Sequence, residues 1–354
     1  MTKAELDNRK VLPLEDSWYR RVKEKLDGIA KPLDGLGKFE HLIAQIGAIE
    51  KTTKISIQKK AVLVMCADNG VVEEQVSQSG KEVTLAVAKA MGVNNSSVGK
   101  MAAVAGVDVI PVDIGIDTDE VIPEVLPRKV AKGTKNFAKE PAMTEEEVLK
   151  AIETGIQLVQ QCRREGYEIL ATGEMGIGNT TTSTAVAAAL LDLEVEQVTG
   201  KGAGLTDEAL KRKCRVIEEA IEKYSLREAD AFTILKAVGG LDIAGLTGVF
   251  IGAAIEQIPV VIDGVISAVA ALLAETLCKG TVNYMIPSHK SRELAETAIM
   301  KKLHLDPVLD ADMALGEGTG AVMMLSLLDV ALGVYLKGAS FANFEIEQYK
   351  RYEE

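Results

Sequence analysis

Aromatic side chains are scarce in this chain of 354 residues: Phe, Tyr and Trp together make up 4%, with a single Trp. A core without them has to be built from Ala, Val, Ile, Leu and 11 Met, and 31 Gly mark tight turns and close backbone approaches. Proline is sparse too, at 9 residues, and with 47% hydrophobic and 26% charged residues the composition excludes disorder and collagen-like repeats. Four dispersed cysteines, Cys66, Cys162, Cys214 and Cys278, leave no CxxC zinc or redox pair and no disulfide scaffold. The polar start MTKAELDNRK lacks the pattern of a secretory signal, so a cytoplasmic location is expected. The most apolar stretch, Gly264 to Ala274, falls short of the ~20 residues a membrane-spanning helix needs. It reads as a buried helix, and no membrane association is expected.

Positive charge is also in short supply. Lys and Arg number 40 against 52 Asp and Glu, a net charge of −12 that repels a nucleic-acid backbone over long range. Nucleic acid is therefore not an expected partner, while a local pocket for one small phosphate stays compatible with the overall field. The dinucleotide fingerprint GxGxxG is absent, and GVNNSSVGKM fails as a P-loop on its Gly spacing and on the Met after GK. No HExxH or GxSxG occurs, and three scattered histidines (His41, His289, His304) argue against a zinc or Ser/His/Asp site. His289, in IPSHKS, reads as a satisfied structural histidine.

Short apolar runs recur along the chain, each ending in Gly, Asp, Glu or Pro: AVLVMCAD (61–68), VDVIPVDIG (107–115), YEILATGE (167–174), IPVVIDG (258–264) and VNYMIP (282–287). Runs of this kind fit parallel strands buried on both faces. Helical patterns lie between them: residues 84–106, then 144–166 and 206–224, the last two opening on Thr with an acidic first turn. The expected fold class is α/β, a Rossmann-like parallel sheet with helices on both faces, whose ligand site lies beyond the carboxyl ends of the strands. From Leu14 to about Lys51 the pattern is helical, and from about Ala321 onward there is no strand signal. Residues 1–55 with about 322–354 are thus expected to form a small helical subdomain, and 56–321 the α/β domain that carries the active site. Residues 121–144 form the longest irregular stretch, either a surface loop over the crevice or a plain connection.

Three segments carry chemistry. In GEMGIGNTTTSTAVAAALL (173–191) a strand ends at Glu174, a Gly turn follows, and Asn179, Thr180, Thr181 and Thr182 open an Ala-rich helix. Unpaired amides and the positive end of the helix dipole, with hydroxyls and permissive glycines such as Gly176 and Gly178, make an anion cradle; a simple cap needs only one hydroxyl. TGKGAGLTDEALKRK (199–213) offers a second Gly turn at Gly202 and places Lys213 two helical turns beyond Thr206, within reach of the same anion. LGEGTGA (315–321) holds Glu317 between glycines in an apolar context, and a partly desolvated carboxylate is a competent proton acceptor near neutral pH.

CADNGVVEEQVS, GEMGIGNTTT, VGGLDIAGLTG, VIDGVIS, IPSH and LGEGTGA occur in this order across nearly the whole chain, after an N-terminal KPLDGLGKFE block. On these blocks the sequence resembles the nicotinate-nucleotide:dimethylbenzimidazole phosphoribosyltransferase family of cobalamin nucleotide-loop assembly. The resemblance implies a homodimer, with no cofactor and no metal. Its substrates are nicotinate mononucleotide and a benzimidazole-like or phenolic base. It also implies that Glu317 is the base that takes the azole proton, and that Glu174 contacts the base or stabilises charge. Gly176, Gly202 and Lys213 would hold the phosphate, and Asp263, Gly264 and Ser291 would surround ribose and nicotinate. Gly178, Thr180 and Ser79 are further expected substrate contacts, and Met175, Leu315 and Val87 would line the base pocket. The family commonly has ADHG where this chain reads Ala67-Asp68-Asn69-Gly70, and a Gln where it has Val87. Two other readings compete: a Rossmann-type oxidoreductase or methyltransferase, and a non-catalytic nucleotide sensor.

Overall fold

A computed structural model describes residues 1–202 and 204–351. Six parallel strands form the main sheet: β1 (Lys60–Ala67), β2 (Val107–Gly115), β3 (Leu126–Pro127), β4 (Ile169–Met175), β5 (Val260–Ile262) and β6 (Met285–Pro287), in the order β3-β2-β1-β4-β5-β6. The apolar run KAVLVMCA makes β1 a strand buried along its whole length. Its period of two feeds two cores, with Ala61, Leu63, Met65 and Ala67 on one face and Val62, Val64 and Cys66 on the other. The first face is covered by the helices Glu145–Arg164, Asn179–Leu191, Leu241–Glu256 and Val265–Leu277. The second carries Asp16–Asp27, Lys38–Glu50, Ser97–Ala105 and Thr319–Lys337. Helices Glu145–Arg164 and Leu241–Glu256 approach so closely that a Cβ on Gly248 would stand 2.0 Å from the Ile152 carbonyl.

Strand order reverses between β1 and β4, so the crevice beyond their carboxyl ends is the topological switch point where open α/β sheets bind ligands. The expected doubly wound α/β architecture is therefore present, with differences in detail. Residues 84–106 form two helices, Glu82–Gly92 and Ser97–Ala105, because Asn94 takes a positive φ and the Ser96 hydroxyl caps the second by accepting from Gly99 N–H at 3.1 Å. The stretch 121–144 contributes β3, then runs across the ends of β1 and β2, donating from Thr134 N–H to Asp68 O at 3.1 Å and from Gly133 N–H to Gly115 O at 2.9 Å. A separate parallel pair, β7 (His289–Ser291) and β8 (Leu309–Met313), has no counterpart in the expected strands, since LDADM has little apolar character.

The chain's ends meet. Ile29 and Ser340 form an antiparallel bridge, and Arg351 reaches both Asp27 and Asp34. Asp27, Asp34 and Glu40 lie close enough to share a cation, but Lys23, Lys31 and Arg351 already neutralise them. The helix Thr319–Lys337 is, by its 19 residues and hydropathy of 1.8, long and apolar enough to cross a membrane. Here it packs on the sheet with Met324, Leu325, Leu328 and Leu332 in the core.

Candidate active site

Beyond the ends of β1 and β4 opens a cavity of about 290 Å³. The carboxylates Glu174, Asp263, Glu293 and Glu317 line it, brought together by the fold and not by local sequence, with Asp242 buried behind Glu174. Glu174 ends β4 and is buried; Asn179, in the first turn of the following helix, donates from Nδ2 to Glu174 and, at 3.2 Å, to Asp242 of the helix Leu241–Glu256. Burial, with Asp242 next, pushes Glu174 up to about 8, and burial pushes Asp242 up to about 6. Burial and their mutual repulsion thus disfavour ionising both carboxyls of this pair together. A Cβ on Gly176 would meet the Ala67 carbonyl at 2.5 Å and Asp242 Oδ2 at 2.9 Å, so only glycine fits where the turn passes these groups.

One end of the cavity is rich in donors. Gly178, at φ 91, caps the helix Asn179–Leu191; Asn179 N–H donates to Gly176 O at 3.0 Å and Thr181 N–H to Gly178 O at 2.9 Å, and Thr180 lines the cavity at the positive end of the helix. Lys213 is wholly buried, and its Nζ donates to Thr180 Oγ1 at 3.0 Å and Gly200 O at 3.1 Å. Burial lowers the Lys213 pKa from the ordinary lysine value. Gly202, at φ 53, brings its backbone beside the Thr180 hydroxyl. Thr180, Gly202 and Lys213 thus converge as the two Gly turns suggested; Ala203, in the second turn, lies outside the described residues.

The opposite wall comes from the ends of β5, β6 and β7. Asp263 follows β5 and accepts from Gly318 N–H at 3.2 Å and Ala321 N–H at 3.0 Å, at the N-terminus of the helix Thr319–Lys337. Burial raises its pKa, with nearby His289 opposing. His289 is buried and paired with Ser288 at 3.0 Å, as a structural histidine would be, yet it also lines the cavity beside Gly264. Ser291 lies on the same wall, its N–H held by Glu296, which burial pushes up to about 7. Glu317, half-buried at φ 60, accepts from Val98 N–H at 3.0 Å in the first turn of the helix Ser97–Ala105, which holds its side chain against the cavity.

Val87, Met175 and Leu315 line the cavity on its apolar side. Of the expected residues, eleven border it directly: Glu317, Glu174, Gly176, Thr180, Gly202, Asp263, Gly264, Ser291, Val87, Met175 and Leu315. Gly178 borders an adjoining hollow that shares Gly176, Thr180 and Gly202, and Lys213 stands behind Thr180. Ser79 borders neither; the neighbouring Gln78 lines the hollow instead. Sequence reasoning missed Asp242 and Glu293 as site residues and used Asn179 only as part of the helix start. The one available signal was the block VGGLDIAGLTG, where a lone Asp sits in an apolar helix.

Fold and cavity define an α/β protein with its pocket at the switch point of a parallel sheet, donor-rich at one end and lined by carboxylates. A family profile described as phosphoribosyltransferase matches residues 11–346, and the chain belongs to that family. It is 43% identical over 337 residues to a nicotinate-nucleotide–dimethylbenzimidazole phosphoribosyltransferase of Clostridium acetobutylicum, covering 95% of this chain and 96% of that one. It is 44% identical over 329 residues to the protein of the same name from Acetivibrio thermocellus, covering 93% and 94%. The crystal structure of CobT from Thermus thermophilus superposes with a TM-score of 0.89 at 33% identity, covering 94% of this chain and all of that one. The protein is a phosphoribosyltransferase.

Proposed function

We propose that the protein transfers the phosphoribosyl group of nicotinate mononucleotide to 5,6-dimethylbenzimidazole or a related lower-ligand base. The products are the α-ribazole 5'-phosphate and nicotinate. The observation that carries this reading is that one cavity is lined by Thr180 and Gly202, with Lys213 bonded behind Thr180, and also by the carboxylates Glu174, Asp263 and Glu317. The names borne by the relatives point the same way, and neither the oxidoreductase or methyltransferase reading nor the sensor reading gains support from them.

In this reading the phosphate sits against the Gly176–Thr180 turn, at the positive end of the helix Asn179–Leu191, and on Gly202, opposite the Lys213 ammonium. Nicotinate leaves as a pyridine from a pyridinium and needs no general acid. The azole must lose its ring proton as its other nitrogen bonds to the ribose carbon, and Glu317 accepts that proton. Positive charge on the ribose in the transition state favours the ionised forms of Glu174 and Asp263, which burial disfavours. Attack from the face opposite nicotinate turns a β-nucleotide into an α-nucleotide. The chemistry calls for no metal and no cofactor.

The protein acts, in this proposal, as a homodimer in the cytoplasm, without nucleic-acid or membrane partners. Exposed Val104, Met323 and Val330 on two mutually packed helices, Ser97–Ala105 and Thr319–Lys337, support the dimer. Unpaired Cys66, Cys162, Cys214 and Cys278 suit a reducing compartment. The bridge between Ile29 and Ser340 supports pairing residues 1–55 with about 322–354 as a helical unit, layered on the second face of the sheet of the 56–321 domain. Incubation with nicotinate mononucleotide should release nicotinate only when the base is also present. Release without base, or none with it, contradicts the proposal.

A further inference from the structure

The donor-rich end of the cavity already holds an anion. Glu293, half-buried on the cavity wall, accepts from Gly202 N–H through Oε1 at 3.1 Å. Its carboxylate lies so close to Gly200 that a Cβ there would stand 2.0 Å from Oε2. Gly200 is the residue whose carbonyl receives Lys213 Nζ at 3.1 Å. Lys213 itself is a buried ammonium bonded to a hydroxyl and a carbonyl, and among the described residues no carboxylate comes within ion-pair distance of it. Glu293 is the charge that opposes the effect of burial on Lys213. A carboxylate therefore occupies the N–H, and faces the cation, that an incoming phosphate would use.

We propose that Glu293 is an internal competitor for the phosphate subsite: its carboxylate fills the Gly202 end of the cradle and must leave for a phosphate monoester to enter. This rests on the reading of Thr180, Gly202 and Lys213 as the phosphate subsite. Two anions on one side of a buried ammonium repel, so phosphate and the inward Glu293 exclude each other. The wall needs little rearrangement for the exchange. Ser291 is pinned by Glu296, Glu293 N–H donates to Ser291 Oγ at 3.3 Å, and the helix Leu294–Leu303 starts at the next residue, so a side-chain rotation suffices. The same carboxylate returns when the phosphorylated product departs. Glu293 thereby sets donor affinity and assists release, and it acts only on ligands that carry the phosphate.

Apparent affinity falls by the fraction of molecules whose site is open, so removing a competitor that closes nine sites in ten raises affinity about tenfold. Calorimetric titration of inorganic phosphate and of nicotinate mononucleotide into wild type, Glu293→Ala and Glu293→Gln tests this, with nicotinate riboside as the ligand without phosphate. Both variants should bind the phosphate ligands more tightly, Ala by about tenfold and Gln by less, because the amide keeps the shape but not the charge. Riboside affinity should not change, and KM for the nucleotide should fall while kcat stays level or drops as product leaves more slowly. Unchanged or weaker phosphate binding in both variants overturns the inference, as does an equal gain for the riboside. Lys213→Met, titrated in parallel, separates the two claims. If it weakens phosphate while Glu293→Ala does not strengthen it, only the role of Glu293 fails; if it leaves phosphate affinity intact, the subsite reading fails and the inference with it.

Discussion

Replacing Lys213 by Met keeps a side chain of similar length and deletes its ammonium. In the native protein that ammonium is wholly buried and donates to Thr180 Oγ1 at 3.0 Å and Gly200 O at 3.1 Å. Losing it leaves the half-buried Gly200 carbonyl short of a donor, a cost of at most about 1–3 kcal/mol, and removes a charge that was itself costly to bury. The two effects oppose, so the melting temperature should move by only a few degrees. Donor binding should respond far more. A hydrogen bond between an ammonium and a phosphate oxygen contributes about 1.5–3 kcal/mol, which is roughly 10- to 150-fold in Kd. The assay is titration of nicotinate mononucleotide and nicotinate riboside into both proteins. Nucleotide affinity should fall by that factor and riboside affinity should stay put. An equal loss for both ligands would refute the reasoning, because Lys213 would then be acting through the fold or on another part of the substrate.

Two further outcomes follow from the same cavity. Val87 offers no hydrogen bond to a polar base edge, and each such group left unpaired costs about 1–3 kcal/mol, so dimethylbenzimidazole should outcompete an equal concentration of adenine by at least about tenfold; comparable masses of the two nucleotides would contradict this, and Val87→Gln should narrow the ratio. Glu174 keeps its proton up to about pH 8 when folded and loses it near pH 4.5 when unfolded, so between those values the folded state binds more protons and stability falls as pH rises. The melting temperature of wild type should therefore drop more steeply between about pH 5 and 8 than that of Glu174→Gln, and parallel slopes would show that Glu174 is ionised in the folded protein over that range.

How much of this was legible depended on how local each feature is. The run VDVIPVDIG coincides with β2, because the buried half of the strand, residues 111–115, and the apolar residues before it are recognisable from their own sequence. The cradle was legible for a similar reason: glycines, threonines and a helix start lie within a few residues, and Lys213 follows on the next helix with its turn. Asp242 escaped notice since its partners, Glu174 and Asn179, sit more than sixty residues earlier and meet it only through the strand order, which hydrophobic periodicity does not encode. Glu293 is invisible for the same reason, 91 residues from the Gly202 amide it accepts from. The strand β3 has two residues and β8 the polar sequence LDADM, so neither presents a pattern, and both form because a neighbouring strand offers its edge.

The most direct test of the account is the rate of phosphoribosyl transfer by Glu317→Gln, measured with both substrates saturating at neutral pH. The glutamine oxygen can still accept the Val98 N–H that Glu317 accepts at 3.0 Å, and the position is half-buried, so fold and donor binding should persist. The amide cannot take up the azole proton. The account predicts a wild-type melting temperature, unchanged affinity for nicotinate mononucleotide, and a rate lower by about 10²–10⁴-fold, the usual contribution of a general base. A folded variant that turns over at the wild-type rate would contradict it, and the proton would have to go to another carboxylate of the cavity.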